Sequence, residues 1–184
     1  RSRGKDLREG LEELKKKSYE IGRQIARNDC VLLTGETIGL PASAIKGAHE
    51  SKGYCVGISP AYCKKEHLEN YNLNLESDFT VFTGLGFAGR NLINIRSCDA
   101  AIFVKGSIGT LNEFTVAFKE EKVIGILEGT GGVCDMIRGI VEGIDKNFEP
   151  VIVYSKDPIE LFEKVFRELE DKNSAVKKMS GDRK

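Results

Sequence analysis

Three stretches of this sequence place glycines, hydroxyls and charged groups where a strand gives way to a helix: TGETIGLP (Thr34 to Pro41), TGLGFAGRN (Thr83 to Asn91) and KGSIGTLNE (Lys105 to Glu113). In the third, Gly106 and Gly109 allow positive φ and close backbone approach. The amides at the start of the following helix lack intrahelical acceptors. Several such N–H groups, with the Thr110 hydroxyl, suit the oxygens of a phosphate. An acid, Glu113, stands beside that cradle. The same residues also spell a capping box, Thr110 with Glu113 three positions on. Two further glycine-bearing junctions on the same edge favour a ligand.

Arg90 opens the helix before this junction. Although distant in sequence from Glu113, it begins the preceding helix, so a parallel sheet returns both to one edge, where opposite charges can meet over one crevice; the competing reading of an arginine on a helix is a solvated surface residue. GLGFAG (Gly84, Gly86, Gly89) matches GxGxxG, yet the acid expected about 20 residues on, at the end of the next strand, is replaced by FVKGS. A dinucleotide site is disfavoured. His49 and His67 are isolated, which leaves them surface roles and predicts no metal site. GxSxG and Walker A patterns are absent, against a serine hydrolase or a P-loop enzyme.

The elements that must hold these groups follow from the apolar pattern. Leu7, Leu11, Leu14, Ile21, Ile25 and Ala26 recur at helical spacing and predict a helix over Asp6 to Arg27. CVLLTG, YCVGIS, FTVFTG, AAIFV, VIGIL and PVIVY read as six short strands. Helices are predicted between them, at Pro41 to Lys52, Gly89 to Ser97, Thr110 to Glu121 and Val133 to Ile144, with a last one from Pro158 to Asp171. The polar stretch Pro60 to Ser77 reads as a long loop with a binding or lid role. Alternation of this kind predicts an α/β, Rossmann-like, doubly wound fold: a mostly parallel sheet with helices on both faces.

With 184 residues and 40% hydrophobic content, one domain over residues 1–172 is expected, followed by a flexible tail, NSAVKKMSGDRK. Basic and acidic residues balance at 28 each, so no net field favours a nucleic-acid polymer or an anionic membrane. A small-molecule partner is the better expectation. Five cysteines without a CxxC pair read as reduced core residues of a cytoplasmic protein. No stretch approaches the roughly 18 apolar residues of a membrane span.

CDAAIFVKGSIGTLNEF resembles the PGGxGTxxE signature of the LOG-type family, cytokinin nucleoside-monophosphate phosphoribohydrolases long mislabelled as lysine decarboxylases. TGETIGLPASAIKGAHESKGYCVGISP resembles that family's upstream glycine-rich segment, and RNLINIRSCDA its R-K-x-x-M helix. The likeness runs in order from about Leu7 to Leu169, and ILEGTGGVCDMI is similar to a bacterial branch that includes molybdenum-cofactor carriers. The resemblance implies catalytic roles for Arg90 and Glu113. It implies contact with a nucleoside monophosphate for Gly35, Glu36, Thr37 and Gly39 in the first junction, and for Gly106, Ser107, Ile108, Gly109 and Thr110 in the third. It further implies a homodimer or higher homo-oligomer with sites near the subunit interface, and no cofactor.

Four departures stand out. Lys105 replaces the signature proline, Ser107 its second glycine, Asn91 the lysine after the arginine, and Glu36 a usual glycine. Glu36 would repel phosphate unless paired, with Lys105 as the expected partner. The family's first strand is not visible before the Leu7 helix, and RSRGKD resembles the loop that follows it, so the start reads as truncated. Two functions compete: hydrolysis of the N-glycosidic bond of a nucleoside 5′-monophosphate, and non-catalytic carriage of a nucleotide or the molybdenum cofactor.

Overall fold

The structure, a computed structural model, describes residues 2–144 and 148–181. In chain order it comprises α1 (Ser2–Arg27), β1 (Leu32–Thr34), α2 (Leu40–Glu50), β2 (Cys55–Ser59), α3 (Lys64–Glu69), β3 (Phe79–Phe82), α4 (Gly86–Ser97), β4 (Ala100–Val104), α5 (Ile108–Lys119), β5 (Val123–Leu127), a 3₁₀ turn (Gly132–Asp135), α6 (Ile137–Gly143), β6 (Val151–Ser155) and α7 (Pro158–Gly181). Every ladder is parallel, which confirms the expected α/β, Rossmann-like class. Among the described residues, no helix is long and apolar enough to cross a membrane.

The strands form two ladders rather than one sheet, β1-β2-β3 and β4-β5-β6. A single continuous sheet is thus corrected: β1 and β4 share no ladder, and among the described residues no strand precedes α1. Helix α1 ties the halves together, because Ile25 packs both against Leu32 and Ile45 and against Leu127 and Leu161. Its contact with α2 is close. A Cβ on Gly22 would lie 1.9 Å from the Ala44 carbonyl oxygen, and one on Gly47 would lie 2.0 Å from that of Tyr19.

Period-two alternation sorts the second ladder's two faces. Ala101, Phe103, Ile124 and Ile126 point into a core with Phe114, Ala117 and Phe118 of α5 and Ile137 of α6. Ile102, Val104, Leu127 and Val153 face α1 and α7 instead. Both faces are therefore covered, as parallel sheets require.

Between β2 and β3 the chain is more ordered than the expected open loop. It carries α3, whose His67 is fully buried rather than on the surface. The His67 ring reaches the Ser59 hydroxyl at 2.8 Å through Nδ1 and the Asn74 carbonyl at 3.0 Å through Nε2. Nδ1 thus fastens α3 to the end of β2, and Nε2 fastens it to the stretch that leads into β3. The last helix also exceeds its expected end at Asp171, continuing to Gly181 through most of the segment expected to fray. Residues 182–184 lie outside the described residues.

Candidate functional site

Within each sheet the strands run parallel, so the turns after β1 and β3 lie at the carboxyl end of the first sheet and the turn after β4 at the carboxyl end of the second, and a helix begins after each. Helix α2 begins after Gly39, α4 after Leu85 and α5 after Ser107, and none has a side-chain cap. The first amide of α4, Gly86, donates to the Pro60 carbonyl at 3.0 Å, whereas the first amides of α2 and α5 have no acceptor within their own helices and carry partial positive charge. Helix α5 starts at Ile108, two residues before the expected Thr110. Thr110 consequently lies inside the first turn, and the capping-box reading is replaced by an uncapped start.

The turn before α5 is fixed from below. Lys105 N–H donates to the Thr130 hydroxyl at 2.9 Å, and Thr130 donates on to the Leu127 carbonyl at 2.7 Å. The Lys105 and Gly106 carbonyls accept from Cys134 and Val133, at 2.9 and 3.2 Å. Gly106 takes φ +84°, and a Cβ there would lie 2.4 Å from the Thr110 methyl. Only glycine satisfies both demands. Ser107 and Ile108 are exposed, Gly109 and Thr110 half-exposed. A Cβ on Gly109 would meet open space, so ligand atoms have access to that backbone.

Arg90 and Glu113 meet across the crevice. One guanidinium nitrogen of Arg90 donates to Glu113 Oε1 at 3.3 Å and to Asn91 Oδ1 at 3.1 Å. Arg90 is 5% exposed, under the turn after β1, where a Cβ on Gly35 would lie 2.2 Å from its nitrogen. Asn94, one turn further along α4, donates to the same Glu113 oxygen at 3.2 Å. Asn91 donates to the Asn112 side chain at 3.0 Å and to the Gly109 carbonyl at 3.4 Å, linking α4 to the cradle itself. Two buried polar atoms here have no partner, Arg90 Nε and Asn94 Oδ1. Unpaired buried polar atoms are uncommon, and both of these lie at the Arg90–Glu113 crevice.

The electrostatics agree. Burial raises the Glu113 carboxyl above its ordinary range, opposed by Asn94 and Arg90. Burial lowers the Arg90 guanidinium, opposed by Glu113. Each group is poised in a partly dry environment where its partner keeps it charged.

The first junction behaves differently from the expectation. Gly35 lies against Arg90, Thr37 is half-exposed, and Gly39 is exposed with φ +87°. Glu36, however, is 1% exposed and turns away from Lys105 and the crevice. It accepts from the amides of Glu76 and Ser77 at 2.6 and 3.1 Å and from the Ser77 hydroxyl. Its own amide donates to the Thr34 hydroxyl at 3.2 Å. Glu36 is thus removed from the set of phosphate contacts: two amides and the Ser77 hydroxyl, not Lys105, are its partners, and it fastens the segment before β3.

Sequence reasoning missed Asn94 and the positioning role of Asn91. Asn94 was legible as the residue four positions after Arg90, on the same helical face. It also missed an aromatic pair beside Arg90, Phe87 edge-on to Tyr71 at 5.2 Å, with the guanidinium carbon 5.8 Å from the Phe87 ring centre.

Comparison with known proteins accords with the resemblance. The model of the SLOG cluster4 family matches residues 4–169. Among solved structures, the structural-genomics target TM1055 superposes with a TM-score of 0.75 at 26% identity, covering 86% of this chain and 89% of that one. The molybdenum cofactor binding protein from Rippkaea orientalis gives 0.64 at 29%, covering 83% and 88%. The molybdenum cofactor carrier protein from Chlamydomonas reinhardtii gives 0.68 at 25%, covering 87% and 90%.

Proposed function

The chain belongs to the SLOG cluster4 family, and from that premise we propose that it is a nucleoside 5′-monophosphate phosphoribohydrolase, releasing a free base and ribose 5-phosphate. The observation that carries this reading is the Arg90–Glu113 pair, held at 3.3 Å beside an uncapped glycine turn. In this reading the amides of Ile108, Gly109 and Thr110 and the Thr110 hydroxyl hold the 5′-phosphate, and the Gly35 to Gly39 turn lies along the nucleotide.

Breaking the C1′–N bond builds positive charge on the ribose. The Glu113 carboxylate stabilises that charge and draws a proton from the attacking water, whose hydroxide joins C1′ while the proton passes to the departing base. Arg90 keeps Glu113 ionised and in place. Asn94 and Asn91 are positioning residues, since they act through Glu113, Arg90 and the Gly109 carbonyl. The proposal places the protein in the cytoplasm as one nucleotide-binding domain working as a homodimer. Exposed Leu85 and Leu92, close to Arg90 in sequence, are in keeping with a subunit contact near the site.

Incubation with AMP, followed by chromatography for free adenine and ribose 5-phosphate, tests the reading. Equimolar release supports it, and intact AMP after many-fold excess of enzyme-hours overturns it. A carrier function is the second reading, favoured by the two molybdenum-cofactor proteins among the structural relatives. It expects retention of a nucleotide or of the molybdenum cofactor without any base released.

A further inference from the structure

At the edge of the first sheet remote from the crevice, three chemically different donors converge. His49 lies in the last turn of α2, Cys55 is the first residue of β2, and Asp78 immediately precedes β3. We propose that His49, Cys55 and Asp78 form a binding site for a divalent transition-metal ion of the zinc or cobalt type. Their donor atoms all lie within 4.8 Å of one another. His49 Nε2 stands 3.0 Å from Asp78 Oδ2. The Cys55 amide donates to that same oxygen at 2.7 Å, while the Asp78 amide donates to the Cys55 carbonyl at 3.0 Å. These reciprocal bonds hold the Cys55 backbone beside the Asp78 carboxylate before any ion arrives.

The donor set selects the ion class. Imidazole nitrogen, thiolate sulfur and carboxylate oxygen together suit zinc or cobalt, whereas magnesium and calcium take oxygen shells. With bond lengths of about 2.0–2.3 Å, two ligands of one tetrahedral ion stand roughly 3–4 Å apart. The cluster therefore needs only a small inward turn. Cys55 is fully buried and forms the fixed corner, while the side chains of His49 and Asp78 are each 37% exposed. That exposure also leaves the fourth position open to water.

Burial holds the Cys55 thiol protonated, pushed up to about 11, so it is inert on its own. Binding converts it to the thiolate, with its proton released to solvent. The Cys55 amide and His49 already keep Asp78 below the ordinary carboxylate range, ready as an anion. One ion would thereby pin the end of α2 to the starts of β2 and β3, independently of what the crevice binds.

Titration of the metal-free full chain with cobalt(II) chloride provides the test, read by absorbance. The expected result is a thiolate-to-cobalt band with four-coordinate visible bands, saturating at one cobalt per chain and lost in Cys55→Ser. His49→Gln and Asp78→Asn, at exposed side chains that leave the core intact, should each weaken cobalt binding at least about tenfold. Cobalt should raise the melting temperature of the unaltered chain and not of these variants. Absence of the charge-transfer band, its persistence in Cys55→Ser, or indifference to His49→Gln and Asp78→Asn would overturn the assignment.

Discussion

Glu36 lies in the turn after β1 and Glu113 on α5, and the protein treats these two carboxylates in opposite ways. Glu36 is enclosed, with two amides and a hydroxyl donating to it, and a Cβ on Gly57 beneath it would lie 1.5 Å from its oxygen. Glu113 keeps a side chain 19% exposed, and Arg90 and Asn94 both donate to the same oxygen, Oε1. The difference teaches how to read a buried acid. One whose donors surround both oxygens is architecture, whereas one held from a single side, with unpaired polar atoms around it, is poised for chemistry.

The sharpest way to break this contrast is to exchange the roles by mutation. Glu113→Gln should lower turnover of a nucleoside monophosphate by about 10²–10⁴-fold, the range for a lost acid–base group. Its stability should stay within about 1 kcal/mol of the parent, since the amide keeps one acceptor and relieves a buried charge. Steady-state kinetics beside thermal melting reads both at once. Glu36→Ala should do the reverse in stability. Three donors lose a charged acceptor, so unfolding free energy should fall by about 3–5 kcal/mol and the melting temperature by roughly 10 °C. A Glu36→Ala protein as stable as the parent would end the comparison.

These two residues also mark where the sequence stops being legible. All six strands were readable, because short β-branched apolar runs between glycine turns have few other uses. The Arg90–Glu113 meeting was readable too, since parallel strands return successive helix starts to one edge. Glu36 was not, because its burial depends on amides about 40 residues further along the chain, which no local pattern encodes. Helix α3 escaped for a different reason: its six residues, KKEHLE, are too few and too polar to show a period. The division into two ladders was likewise hidden, since hydrophobic alternation reports which face of a strand is buried and not which neighbour it pairs with.

Acidity sharpens the comparison further. Burial raises the Glu113 carboxyl, so the folded protein holds that proton to higher pH than the unfolded chain does. Its contribution to stability is therefore full below the ordinary glutamate range and is lost as pH climbs through the raised value. Catalysis needs the ionised form and must run the other way, rising over the same window. Turnover should thus increase with pH where Glu113's share of stability declines. Glu113→Gln should flatten that part of the stability profile. Replacement of Arg90 by Gln should move the acid limb of turnover upward, because the cation opposing burial is gone. An acid limb unmoved in the Arg90 variant would show that the pair does not act as a unit.

The smallest expected effect concerns what lies beside the pair rather than the pair itself. Phe87 is 49% exposed, steadied by Tyr71 against one edge and by Arg90 near its ring. A half-exposed ring in such a setting offers a flat surface to a planar base, worth roughly 1 kcal/mol beyond simple burial. Phe87→Ala should then weaken binding of a nucleoside monophosphate by about fivefold, while binding of ribose 5-phosphate, which has no base, should be unchanged. Calorimetry with both ligands separates the two outcomes. Equal weakening for both would mean that Phe87 only buttresses Arg90, and the base would have to be held by another wall of the crevice.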